Sequence, residues 1–135
     1  MPELTLTPLA PERLIDGCAV WLRAVDDAAA TPGERATLVA RDADGRALGS
    51  VAYARVYGPR AELSLEVDAA LWHRGLPELL VAGACASAAR FGISTFLARV
   101  PAADVRLLAL LRERFAARES RDGATVAVEF ATRRR

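Results

Sequence analysis

The stretch that decides the fold is residues 61–77, which read AELSLEVDAALWHRGLP. In its first seven residues, leucines and a valine alternate with glutamates and a serine, which is the pattern of a half-buried strand. The alternation of apolar and polar residues then ends. Gly75 is a turn residue, and Pro77 suits the first turn of a helix, where the missing N–H costs little. The stretch predicts a strand, a short loop and a helix that begins near residue 77.

Downstream of this stretch, the pattern predicts a second strand and a second helix. Apolar residues at helical spacing continue the first helix to Gly92, a residue type that commonly ends helices. A strand over 93–100 follows, so the middle of the chain is a strand–helix–strand crossover. The remaining predicted elements are a helix over 101–114 and a hairpin of strands over 115–120 and 124–131.

Upstream, the pattern predicts further strands and one more helix. They are a strand at 4–7, a helix over 11–30 whose apolar residues recur at spacings of three and four, and strands over 36–41 and 47–56. The predicted order is β-α-β-β-β-α-β-α-β-β, which is a mixed α/β (α+β) domain. No repeat, linker or shift in composition divides the chain, so we expect one domain over residues 1–135.

The composition excludes several classes of protein. With 53% hydrophobic and 26% charged residues, the chain is too apolar to be disordered, and no apolar run approaches the length of a membrane span. All 18 basic residues are arginine, and the net charge of +1 argues against a nucleic-acid partner. No signal peptide is recognisable, so we expect a cytoplasmic protein without a membrane partner. Cys18 and Cys85 are too few for a disulfide framework or a zinc site, and we predict no metal.

The loop before residue 77 has the elements of an anion site. A helix start presents backbone N–H groups and a partial positive charge. Gly75 lets the backbone approach a ligand, and Arg74 adds a cation. Such a site suits phosphate groups, although many loops of this composition bind nothing, so a plain connecting loop is the alternative.

Residues 72–77, WHRGLP, resemble the Gln/Arg-x-x-Gly-x-Gly/Ala motif of the GNAT acetyltransferases, which binds the pyrophosphate of acetyl-CoA at a helix start. The most similar branch is that of the bacterial protein lysine acetyltransferases, which the Ala-Glu pair at 61–62 and the strand pair at 38–49 also resemble. The resemblance covers about residues 36–131 and implies a GNAT-like fold with a mixed, mostly antiparallel sheet flanked by helices. Further similar segments are LLV (79–81), AARFGI (88–93) and ARV (98–100).

The sequence departs from the family pattern within the motif itself. Trp72 stands where the family has Gln or Arg, and Pro77 replaces the second Gly or Ala and removes one N–H that could bind phosphate. Asp104 occupies the place of a common Asn, and Leu111 that of a Tyr that often serves as general acid. We therefore expect pyrophosphate binding to be weakened.

The resemblance implies a role for each residue near the motif. Glu62 matches the catalytic position: as a general base, with its pKa raised by partial burial, it would take the proton of an ammonium before the amine attacks the thioester. Backbone N–H groups of residues 74–78 would hold the pyrophosphate, and one near Val67 would polarise the thioester carbonyl. The residues expected to contact the cofactor are Val67, Trp72, His73, Arg74, Gly75, Leu76, Pro77, Glu78 and Asp104.

Several of these side chains also have structural explanations. Glu62 is alternatively an exposed strand carboxylate, His73 a solvent-facing residue, and Trp72 a packing residue of the loop. Asp104 is alternatively the cap of the helix that follows it. Glu66 shares the strand face of Glu62 but lies roughly 13 Å away, which is too far for a partner carboxylate.

The leading hypothesis is an acyl-CoA-dependent N-acyltransferase. It would move an acetyl group from acetyl-CoA, its cosubstrate, to the primary amine of a small molecule or of a protein lysine by direct attack. The strands containing 61–67 and 94–100 are expected to diverge and hold the pantetheine. The second hypothesis is a GNAT-fold binding or regulatory module with weak or no catalysis, which Trp72 and Pro77 favour. A homodimer paired through the final hairpin is a further hypothesis.

Overall fold

A computed structural model describes residues 13–15, 18–25, 34–68, 72 and 75–133. This part of the chain forms eight strands and two helices. The elements are β1 (Arg13–Ile15), β2 (Cys18–Ala24), β3 (Arg35–Arg41), β4 (Ala47–Tyr57), β5 (Arg60–Val67), α1 (Leu76–Arg90), β6 (Thr95–Pro101), α2 (Val105–Phe115), β7 (Arg118–Asp122) and β8 (Thr125–Ala131).

The strands are arranged in the order β1-β2-β3-β4-β5-β6-β8-β7. Every neighbouring pair is antiparallel except β5 and β6, which are parallel and are connected by α1. Parallel neighbours cannot be joined by a tight turn, so this pair requires the crossover helix that the sequence predicts. The predicted fold class, a mixed domain with a mostly antiparallel sheet, is confirmed.

Both helices pack on the same face of the sheet, which we call the core face. α1 lies over β3, β4 and β5, and Tyr53 Oη shares a hydrogen bond of 2.7 Å with Ser87 Oγ of this helix. α2 lies over β8, where the ring centroids of Phe115 and Phe130 are 5.6 Å apart. Phe96 connects the two halves, because its ring lies 5.5 Å from Tyr53 and 5.8 Å from Phe130. One continuous core therefore lies beneath both helices.

The opposite face, which we call the open face, carries no helix in the residues that the structure describes. It is formed by alternate residues of each strand, including the exposed Glu62, Ser64 and Glu66 of β5. Their neighbour Leu63 is buried on the core face. The alternation predicted for β5 is thereby confirmed.

The predicted helix over 11–30 is wrong for the described residues of that segment, which form β1 and β2. β2 pairs with β3, Val20 is buried, and Leu22 packs against the core. A Cβ added to Gly83 would overlap the Leu22 side chain, so α1 approaches this strand closely. A short apolar segment fits a strand or a helix equally well, and here the edge of β3 and the surface of α1 favour the strand. The predicted strand at 4–7 and the rest of the predicted helix lie outside the described residues.

The other predicted elements agree with the structure to within a few residues at their ends. α2 begins at Val105 rather than at 101, because Asp104 is its N-cap. Gly92 follows α1 with φ 79°, as expected of a glycine after a helix. Cys85 is buried within α1 and forms no disulfide in the described part of the chain.

Candidate functional site

A cleft opens between β5 and β6. The two strands pair over three residues each, and the last pair is Glu62 with Leu97. Beyond this pair, β5 stays with β4 as far as Val67, and β6 stays with β8 as far as Pro101. The two strands therefore diverge, as expected, and their facing edges are not paired to each other.

Glu62 lies at the apex of this cleft, in the last pair before the strands part. Its side chain is exposed on the open face, so the partial burial that we expected for a general base is absent. It lines a groove of about 410 Å³ that extends over β6, β8 and β7. Glu66 does not line this groove, but a separate shallow hollow that also contains Val67. Val67, the last residue of β5, is half-buried.

Two of the four acidic side chains in the groove form ion pairs within the protein. Glu129 pairs with Arg60 at 3.1 Å and with Arg118 at 3.4 Å. Glu119 pairs with Arg112 of α2 at 3.0 Å. These contacts tie β5, β7, β8 and α2 together along the wall of the groove.

Three other charged side chains of the groove have no such contact. Glu62, Arg99 and Asp122 are exposed, and their side chains form neither an ion pair nor a hydrogen bond with another residue in the described part of the chain. Among the described residues, the charges of the groove without an internal contact are therefore two carboxylates and one guanidinium.

The helix start keeps the backbone shape of an anion site. α1 begins directly after Gly75, whose φ of 84° is left-handed, a conformation that glycine adopts without strain. No side chain of the described residues caps the helix, and Pro77 in its first turn donates no N–H. Leu76 and Pro77 are buried, so their side chains anchor the helix start to the core and are not available to a ligand.

Glu78 adds a negative charge to the same first turn. Its Oε2 lies 3.5 Å from Arg114 Nε, in an ion pair that connects the start of α1 with the end of α2. A carboxylate at this position interacts favourably with the helix dipole but repels a bound phosphate. Among the predicted cofactor contacts, Glu78 is therefore the one whose charge opposes an anion.

The half-buried Trp72 lies in the loop before α1. The guanidinium of Arg106 lies 5.1 Å from its ring centroid, a cation–π contact that joins this loop to the first turn of α2. Asp104 accepts a hydrogen bond of 3.4 Å from the Leu107 N–H, which confirms its interpretation as a helix cap. His73 and Arg74 lie outside the described residues, so their predicted contacts stay predictions.

No sequence pattern indicated a functional role for Arg99, Arg106 or Arg114. Each is one polar residue in an alternating strand or an amphipathic helix, where an exposed charge is the ordinary case. Arg99 joins the groove because pairing of β6 with both β5 and β8 brings it there. The position of Arg99 in the groove therefore depends on the register between strands, which the sequence of β6 alone does not show.

The described residues include neither a cluster of metal ligands nor a helix that could span a membrane. No group of three His, Cys, Asp or Glu side chains in these residues could hold a metal ion. No helix in the same part of the chain is long and apolar enough to cross a membrane.

Comparison with known proteins gives similarities of structure. Neither a protein-family model nor a curated protein matches the sequence. Among solved structures, the GNAT domain of S. lividans PAT is 23% identical, with a TM-score of 0.69 over 76% of this chain and 63% of that one. The cAMP-binding acyltransferase from Mycobacterium smegmatis is 18% identical, with a TM-score of 0.76 over 95% of this chain and 48% of that one.

A third similar structure, the IAA acetyltransferase from Bacillus cereus, is 15% identical, with a TM-score of 0.66 over 84% of this chain and 99% of that one. The chain thus spans less than two thirds of the first two proteins and nearly all of the third. In this chain, the parallel strand pair, the crossover helix and the cleft lie within a backbone arrangement that is similar to those of the three solved structures. The chain has the fold of the GNAT acetyltransferases.

Proposed function

We propose that the chain is an acyl-CoA-dependent N-acyltransferase that transfers an acetyl group from acetyl-CoA to a primary amine. The observation that carries this proposal is the cleft between β5 and β6, which opens beyond Glu62 and is followed by the helix start at Gly75. Two facing strand edges offer main-chain donors and acceptors to an extended ligand, as a sheet edge does to an added strand. The amide-containing arm of acetyl-CoA has the matching groups.

The pyrophosphate of the cosubstrate binds at the start of α1. Backbone N–H groups within residues 74–78 hold it, although Pro77 contributes none and the carboxylate of Glu78 repels it. Arg114 offsets part of that repulsion through its ion pair. We therefore expect acetyl-CoA to bind, but less tightly than it would to a helix whose first turn has all of its backbone N–H groups.

Transfer takes place at the apex of the cleft. Glu62 accepts a proton from the acceptor ammonium, directly or through water, and the freed amine attacks the thioester carbonyl. The N–C bond forms, the C–S bond breaks, and the CoA thiolate takes up a proton as it leaves. A backbone N–H near Val67 polarises the carbonyl. Among primary amines, the resemblance implies a protein lysine as one candidate acceptor.

A second function, a GNAT-fold binding or regulatory module, is favoured by the altered motif. Trp72 is held by Arg106, and the first turn of α1 contains both Pro77 and Glu78. Trp72 and Pro77 each remove a contact to pyrophosphate that the family motif would make, and the charge of Glu78 opposes the binding of pyrophosphate. In this case the cleft would persist without turnover.

Calorimetric titration of acetyl-CoA, together with the midpoint of thermal unfolding, tests the proposal. A ligand that binds only the native state stabilises it by about 2.7 kcal/mol at a hundredfold excess over Kd. We expect micromolar binding, and release of free CoA when a panel of amines is added. Binding without CoA release from any amine favours the module. No binding at millimolar acetyl-CoA contradicts the acyltransferase and leaves a GNAT fold with another use.

The chain pairs with a second copy through β7. This strand is the last of the sheet, and all five of its residues are exposed. Antiparallel pairing of two copies about Ser120 brings Arg118 opposite Asp122 and Glu119 opposite Arg121, so every charge meets its opposite. We expect Asp122→Arg to weaken the dimer at least tenfold in light scattering, and Arg118→Asp added to it to restore the dimer. A monomer at all concentrations of the unmodified chain contradicts this proposal.

A reducing, cytoplasmic location completes the proposal. Cys85, which is buried in α1 and forms no disulfide with a described residue, is consistent with it, because cysteines stay reduced in that compartment. Fractionation of cells that express the tagged chain tests it, with recovery in the cytoplasmic fraction as the expected result.

A further inference from the structure

The open face of the sheet brings together charges that are far apart in the sequence. Strand pairing sets Glu62 beside Leu97, and Leu97 beside Glu129. Arg99 lies two residues further along β6, beside Ala127 of β8. Side chains two residues apart on a strand share a face, so Glu62 and Arg99 face the same groove.

Glu62 and Arg99 are close enough to bind one small ligand together. One strand spacing and two residues of strand rise separate their Cα atoms, which corresponds to about 8 Å. Between them, the groove contains the half-buried Leu97, and the short side chain of Ala127 lies on the other side of Arg99. Opposite charges thus flank a small apolar floor, above which a ligand of a few heavy atoms fits.

Neither of these two charges is neutralised by the protein in its described part. Glu129 and Glu119 of the same groove are each paired with arginine, whereas Glu62 and Arg99 are exposed and have no such contact. A ligand can therefore bind both without first breaking an internal ion pair. Asp122, at the end of the groove beside Thr125, is the residue that the proposed dimer pairs with Arg118 of a second copy, so the ligand is bound by Glu62 and Arg99.

We propose that the acceptor is a free α-amino acid, which carries an ammonium and a carboxylate on one small molecule. This proposal rests on the proposed N-acyltransferase function. The guanidinium of Arg99 binds the carboxylate through two parallel hydrogen bonds and so holds the α-amine at Glu62, where the cleft begins.

Acceptor assays with matched amines test the role of the carboxylate. CoA release from acetyl-CoA is measured with L-leucine, with L-leucinamide, which lacks the carboxylate, and with a lysine peptide blocked at both ends. We expect kcat/KM for leucine to exceed that for leucinamide at least tenfold.

Replacement of Arg99 tests the residue itself. In Arg99→Ala, KM for leucine should rise at least tenfold with kcat little changed, because the carboxylate contact is lost while the base remains, and KM for leucinamide should stay the same. Arg46→Ala, an exposed arginine of the β3–β4 turn outside the groove, is the control and should leave both constants unchanged. The unfolding midpoint of each variant reports whether it folds.

The outcomes separate the two proposals. If the lysine peptide or leucinamide is acetylated as well as leucine, and Arg99→Ala changes neither, the amino-acid acceptor is overturned while the acyltransferase stands. If no amine releases CoA, both are overturned. Leucine preference that disappears in Arg99→Ala supports the proposal.

Discussion

The two faces of the sheet differ in what their side chains do. On the core face, Phe96 has no exposed surface and its ring contacts those of Tyr53 and Phe130, so the strands are held to both helices. On the open face, one residue along the same strand, Leu97 lies in a groove bordered by charges. Neighbouring residues of β6 therefore pack into the core on one side and line a solvent-exposed groove on the other.

This difference follows from strand geometry. Because side chains alternate along β6, the same segment supplies both the core and the wall of the groove. The core face tolerates little change in volume, whereas the open face can exchange charges without disturbing the packing. Substitutions on the two faces should consequently affect different measurements.

The largest effect should come from Phe96→Ala. Loss of a buried phenylalanine costs about 3–5 kcal/mol of unfolding free energy, and Phe96 connects the halves of the core beneath α1 and α2. Urea unfolding measures it. Leu97→Ala, on the open face of the same strand, is the control and should cost clearly less. Equal losses would contradict the distinction between the faces.

The second effect concerns Glu62. If it is the base, Glu62→Gln should lower kcat at least a hundredfold, about 2.7 kcal/mol of activation free energy, with the unfolding free energy nearly unchanged because the side chain is exposed. Glu66→Gln, exposed on the same face of β5, is the matched control. Equal kcat values for the two variants would remove Glu62 from the mechanism.

A smaller effect is expected at the hydrogen bond between Tyr53 and Ser87. Tyr53→Phe removes the hydroxyl from a partly buried bond of 2.7 Å and should cost about 1 kcal/mol of unfolding free energy. Tyr57→Phe, where the ring is 65% exposed, should cost almost nothing. If both variants unfold at the same urea concentration as the unmodified chain, the bond does not stabilise the contact of α1 with β4.

The smallest effect is expected at the helix start. Glu78→Gln removes the carboxylate from the first turn of α1 and releases Arg114, so acetyl-CoA should bind several-fold more tightly because a repulsive charge is lost. Calorimetry measures Kd, and the exposed Glu113→Gln on α2 is the control. Unchanged or weaker binding in Glu78→Gln would mean that its charge does not face the pyrophosphate.

Local patterns predicted most of the fold. The alternation in β5, the turn at Gly75 and the helical spacing after Pro77 each fix a local conformation, and the structure contains the corresponding strand, turn and helix. The segment around β2 is different, because the spacing of its apolar residues fits both a helix and a strand. Its pairing with β3 and its contact with α1 decide between them, and neither partner is close in the chain.

For the site, the sequence by itself determined the chemical types: a glycine that permits a left-handed helix start, a proline that donates no N–H, and a glutamate on the polar side of β5. Tertiary structure alone decided which charges share a groove. Arg99 and Glu62 line the same groove because the register of β5 and β6 pairs Glu62 with Leu97, and the two strands diverge after that pair. A register is set by contacts along the whole of two strands, so no single segment of the sequence contains it.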